Sequence, residues 1–218
     1  MKYGESIFDL CYLLFAFCAG MILLKKSHLR AGRLMGFSAL LLCGGDAFHL
    51  IPRVLGYFQN AGLTAALGIG KLITSLTMTG FYVLLFAIHR SFFRLTATRG
   101  QLLFLWPAAL SRIILCLFPQ NGWMQNESPF VWSVLRNLPF LALGIFVIAL
   151  YYKTRGLSNA LRRVWLYLSL SFLFYLPVAV GARFLPLLGM LMLPKTVCYV
   201  FVLCAFLRTL REKPASEV

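Results

Sequence analysis

The chain has 218 residues, of which 61% are hydrophobic and 12% charged, with a net charge of +15 and a mean hydropathy of +0.83. Soluble domains are about half apolar and a quarter charged, so this composition excludes a soluble globular domain. The apolar excess runs the whole length, which also excludes a soluble domain hung on one anchor.

Seven apolar windows of spanning length fall near 6–24, 34–57, 63–88, 101–118, 130–152, 164–183 and 187–208. They are continuous rather than alternating, which predicts helices and not the strands of a barrel. The expected fold is therefore all-α: a polytopic integral membrane protein, a seven-transmembrane-helix bundle, with residues 1–218 forming a single transmembrane domain. The first window opens on Glu5 and carries Asp9. No basic stretch precedes it and no small-residue cleavage site follows, so it reads as a retained span and not a signal peptide. The second contains CGGDAFHLIPR (43–53), which places Asp46, His49 and Arg53 at i, i+3 and i+7 on one helix face behind Gly44 and Gly45. The third carries Lys71 with Thr74, Ser75, Thr77 and Thr79, hydroxyls suited to bonding between helices. The fourth carries Pro107 and Arg112, the fifth Arg136 and Pro139, the sixth Pro177 and Arg183, and the seventh Pro194 and Lys195.

The other basic residues lie almost entirely in alternate connections: Lys25, Lys26, Arg30 and Arg33; Arg90, Arg94 and Arg99; Lys153, Arg155, Arg162 and Arg163; and Arg208, Arg211 and Lys213. The connections near 58–62, 119–129 and 184–186 contain no Lys or Arg. The positive-inside rule then predicts an amino terminus outside and a carboxyl terminus in the cytoplasm, in what reads as a bacterial cytoplasmic membrane. Topology and attraction to anionic lipid account for this charge, and no folded module for nucleic acid accompanies it.

With that orientation, Arg53, Lys71, Arg112, Arg136, Arg183 and Lys195 all fall in the outer halves of their spans. Lys71 lies roughly 12 Å below the end of its span at 1.5 Å per residue. A charge at the bilayer centre costs ~2.5–3.5 kcal/mol on insertion scales, so such residues face a partner or a wet cavity unless they snorkel to the headgroups. Asp9 and Asp46, with Glu5 and Glu127 nearer the surface, are too few to pair them all. The pattern predicts an outward-facing basic cavity for an anionic lipid headgroup or small anion, bound by Arg53, Lys71, Arg112, Arg136 and Lys195 with Asp9 alongside. Asp46 one turn from His49 is suited either to acid–base work or to a hydrogen-bonded network that fastens helices.

The runs GFSALLLCGGDAFHLIPR (36–53) and GKLITSLTMTGFYVLLF (70–86) resemble the YhhN-like lysoplasmalogenase family. The resemblance covers about fifty residues and implies a membrane-embedded hydrolase cleaving the vinyl-ether bond of lysoplasmalogens, with intramembrane carboxylates as its acid–base pair. It maps one of them onto Asp46, with His49 or Asp9 standing in for the second group. A transporter or receptor for an anionic small molecule is the alternative.

No metal-ligand spacing, cofactor motif or serine elbow is present, and the six cysteines form no C-x-x-C pair. Lys195 in the last span suits a retinal Schiff base poorly, because the neighbouring cations would oppose its protonated form.

Overall fold

The computed structural model describes residues 2–59, 63–125, 128–181 and 184–212. Among them all regular structure is helical: α1 (Lys2–Lys26), α2 (Arg30–Gln59), α3 (Thr64–Phe92), α4 (Arg99–Leu117), α5 (Phe130–Lys153), α6 (Val164–Gly181) and α7 (Met192–Thr209). Short 3₁₀ segments, Pro119–Asn121 and Pro186–Leu191, precede α5 and α7. Among the described residues, seven helices are long and apolar enough to cross a membrane. Lipid offers no hydrogen-bond partner, so each apolar run satisfies its backbone internally as a helix.

Helices α1 and α2 run beyond their apolar windows at both ends, with α2 starting at Arg30, and α3 continues to Phe92. Hydropathy marks the hydrocarbon thickness, whereas the helical ladder continues through the basic residues outside it. The final span differs the other way. Its first part is the 3₁₀ turn, and α7 proper begins at Met192, so Pro194 falls in the first helical turn, where its missing N–H has no intrahelical partner to lose.

Successive helices alternate in direction, and side chains tie each end together. At the basic end, His89 closing α3 reaches the Leu150 carbonyl and the Thr154 hydroxyl at the end of α5, at 3.1 and 3.0 Å. Beyond α7, Glu212 accepts from the Ser158 hydroxyl (2.7 Å) and the Ala160 N–H (2.8 Å). At the opposite end, Glu5 opening α1 pairs with Arg53 late in α2 at 2.8 Å. Each helix packs on its chain neighbours, α1 closes the ring against α7, and α3 also meets α5, which draws α3 toward the centre.

Small residues set the closest crossings. A Cβ on Gly36 would lie 3.0 Å from the Gly20 carbonyl, so α1 and α2 meet backbone to backbone there. Gly70 does the same for α3 and α2, since its Cβ would collide with the Phe48 backbone; the Cβ of Gly45 would strike the Thr77 side chain, while Gly44 faces open space. The hydroxyl expectation for α3 holds in part: Thr74 donates to the Gly45 carbonyl across the crossing (2.9 Å), whereas Ser75, Thr77 and Thr79 donate back along their own helix.

The charge pattern predicts which end is outside. Met124, 61% exposed on the α4–α5 connection, and Leu157, 66% exposed on the α5–α6 connection, lie at opposite ends. In intact cells and a cysteine-free background, Met124→Cys should react with an impermeant maleimide, and Leu157→Cys only after permeabilisation. The reverse pattern would invert the orientation.

Candidate functional site

Between α2, α3, α4, α5, α6 and α7, in the half of the bundle away from the basic loops, lies a cavity of about 530 Å³. Its wall brings together five of the residues singled out above: His49, Lys71, Arg112, Arg136 and Lys195. Four basic side chains from four different helices therefore share one space, and among the described residues no carboxylate lines it. The one ion pair among the described residues joins Arg53 and Glu5. Arg183 and Glu127 lie outside the described residues.

Neutral groups hold the cations instead. The Arg112 side chain, on α4, is only 2% exposed. Its Nη1 donates to the Arg136 carbonyl of α5, its guanidinium sits 5.0 Å over the Phe140 ring, and its buried Nε has no partner. Arg136 stacks 4.4 Å over Trp123 and donates to Asn121 Oδ1 (2.8 Å), Ser128 Oγ (2.8 Å) and Ser133 Oγ (3.3 Å). The Lys195 ammonium stands 4.8 Å from the Tyr175 ring and 5.7 Å from that of Tyr199. Lys71 is the exposed member of the set. Cation–π contacts of this kind contribute about 0.5–2 kcal/mol each, rising as water is excluded.

The α4–α5 connection is folded to serve this site. Helix α4 ends with unpaired carbonyls. The buried Asn121 amide donates to those of Leu115 (2.7 Å) and Phe118 (2.9 Å), and the Trp123 indole donates to that of Cys116 at 2.8 Å. Gly122 turns the chain in the left-handed region at φ 62°. The Trp123 backbone then seats directly on Gly68 of α3, where a Cβ would collide with it. One connection thus caps α4, contributes Trp123 and Ser128 to the cavity wall and orients Arg136. Beneath, Phe140 packs edge-on to Tyr82 at 5.2 Å, and Tyr175 donates to Asn137 Oδ1 at 2.7 Å.

Asp9, Asp46 and Arg53 do not reach this wall; they sit in the seam between α1 and α2. Asp46 accepts from the Tyr12 hydroxyl of α1 at 2.7 Å. Arg53 donates to Glu5 and, at 3.1 Å, to Tyr57. Asp9 is 3% exposed with an unpartnered Oδ2. Positions i and i+7 point within about 20° of one another on a helix while i+3 lies about 60° away, so Asp46 and Arg53 turn to α1 and His49 turns to the cavity. His49 reaches the wall with Nδ1 buried and unpartnered. Asn137, Ser133, Trp123 and Tyr175 complete the wall. Asn137 and Arg136 are adjacent polar residues inside an apolar span, a signal the sequence did carry.

These features define a multi-pass membrane protein of seven helices with a cation-lined cavity in one half of its bundle. The chain matches no protein-family model, no curated protein and no solved structure.

Because the connection rests on Gly68, Gly68→Ala should displace Trp123 and lower stability by about 1–3 kcal/mol, read as a drop in melting temperature in detergent. An unchanged melting temperature would show that the connection does not bear on α3.

Proposed function

We propose that this cavity binds an anionic group, a phosphate or carboxylate of a lipid headgroup or small molecule, and that on the positive-inside pattern it opens outward. The observation carrying this reading is the convergence of Lys71, Arg112, Arg136 and Lys195 on one space with only neutral partners in its wall. A buried cation without a counter-ion is costly, and a bound anion supplies that counter-ion from the ligand. Charge-assisted hydrogen bonds contribute about 1.5–3 kcal/mol each. Membrane lipids surround the apolar faces of the bundle and are the nearest source of such groups.

Lys195→Met and Lys71→Met should each weaken anion affinity roughly tenfold to a hundredfold, measured calorimetrically on the detergent-purified protein. If both variants bind every anion as wild type does, this cavity is not the anion site.

A second reading, hydrolysis of a lysoplasmalogen-like lipid, is favoured by His49, an imidazole of the type that serves as a general base, standing in the cavity wall with Nδ1 unpartnered. The resemblance to the lysoplasmalogenase family would place a catalytic carboxylate at Asp46, which would act from behind the wall. His49→Gln should then remove turnover of a lysoplasmalogen while leaving anion affinity within about tenfold. Absence of turnover in the wild-type protein would leave a binding, transport or sensing role.

A further inference from the structure

The number and kind of cations narrow the ligand further. We infer that the cavity takes a multiply charged phosphate group, a phosphate monoester or diphosphate carrying an organic substituent, and not a lone carboxylate. This rests on the anion-binding reading above.

Charge is the first argument. Four cations line the cavity, and among the described residues no carboxylate does. A carboxylate ligand brings one negative charge and leaves most of the positive charge unbalanced in a medium of low polarity. A phosphate monoester brings about −1.5 to −2 at pH 7 with three acceptor oxygens, and a diphosphate brings more.

The directions of approach are the second argument. Lys71, Arg112, Arg136 and Lys195 come from α3, α4, α5 and α7, so donors surround the space rather than face one edge of it. A planar carboxylate has two oxygens in one plane. A tetrahedral phosphate presents oxygens in several directions, which suits a guanidinium fork on one side and ammonium groups on others. Arg112 is built into the wall, 2% exposed, with Nε lacking any protein acceptor. The hydroxyls of Thr74, Ser75 and Ser133 are also in the wall.

Size is the third. A cavity of about 530 Å³ far exceeds a bare phosphate, and much of the remaining wall is apolar or aromatic: Met78, Trp123, Phe140, Tyr175, Val178 and Met192. Ligand sites of this volume pair a few placed polar groups with such surfaces.

The test is a titration of the full-length protein in nanodiscs of zwitterionic lipid, at fixed ionic strength, with inorganic pyrophosphate, orthophosphate and acetate. Affinity and melting temperature are both followed. Pyrophosphate should bind roughly a hundredfold more tightly than acetate, with orthophosphate between. Lys195→Gln and Lys71→Gln should each reduce that preference about tenfold while raising the melting temperature of the ligand-free protein, because each removes a like charge. Arg112→Met has a structural bond to lose, so the two lysine variants carry the test. A parallel series in Glu127→Gln should show the same preference.

A second arm replaces part of the lipid with phosphatidic acid. Protection there, competed by pyrophosphate, assigns the phosphate to a lipid headgroup; protection by pyrophosphate alone assigns it to a soluble ligand. Both results support the inference. Acetate binding as tightly as pyrophosphate and phosphatidic acid would overturn it and leave the anion reading standing. Binding of no anion at all would remove both.

Discussion

Positive charge held inside an apolar bundle without carboxylate partners is the constraint on which the rest of this structure depends. Each cation costs several kcal/mol to withdraw from water, and a matched carboxylate is the usual remedy. The seam between α1 and α2 uses that remedy, with Glu5 against Arg53. The cavity does not: Arg112, Arg136 and Lys195 rest on aromatic faces, a backbone carbonyl, an amide oxygen and hydroxyls, while Lys71 is exposed. Neutral partners hold a cation in place without cancelling its charge, so the cavity keeps a positive field. The charges of this half of the bundle thus divide between a neutralised seam and a cavity that stays positive.

That division needs rigid surroundings, because like charges would otherwise drive the wall apart. Arg112 bridges α4 to α5 through the Arg136 carbonyl, and Arg136 bridges α5 to the α4–α5 connection through Asn121 and Ser128. The connection is pinned in turn to α4 by Asn121 and Trp123 and to α3 by its seat on Gly68. Below, the packed rings of Tyr82, Phe140, Phe172 and Tyr175 form an aromatic floor. Aromatic pairs of this sort contribute about 0.5–1.5 kcal/mol beyond their buried area, and they resist the collapse that would bring the cations together.

Much of this was legible in the sequence. Seven spans and the depth of each cation follow from hydropathy and counting, because 1.5 Å per residue converts position into depth. Depth does not give azimuth. Arg53 and Lys71 look alike as outer-half cations, yet one turns to Glu5 of α1 and the other to the cavity, and this depends on how each helix is rotated against its neighbours. The same limit separated Asp46 from His49: three residues apart amounts to about 60° around the helix, enough to put one in a seam and the other in a wall. The folding of the α4–α5 connection was illegible for another reason. Asn121 and Trp123 read as ordinary loop residues until the end of α4 presents carbonyls for them to cap.

The central claim is that the cavity is electropositive and reached by ions, and the indole of Trp123, stacked on Arg136 in its wall, is a built-in reporter. In a variant retaining Trp123 alone, with Trp106, Trp132 and Trp165 changed to Phe, fluorescence quenching by iodide and by caesium should be compared at low ionic strength. The cation-lined wall predicts quenching by iodide several-fold stronger than by caesium, with the difference shrinking as inert salt is added. Equal quenching by the two ions, or stronger quenching by caesium, would contradict the account.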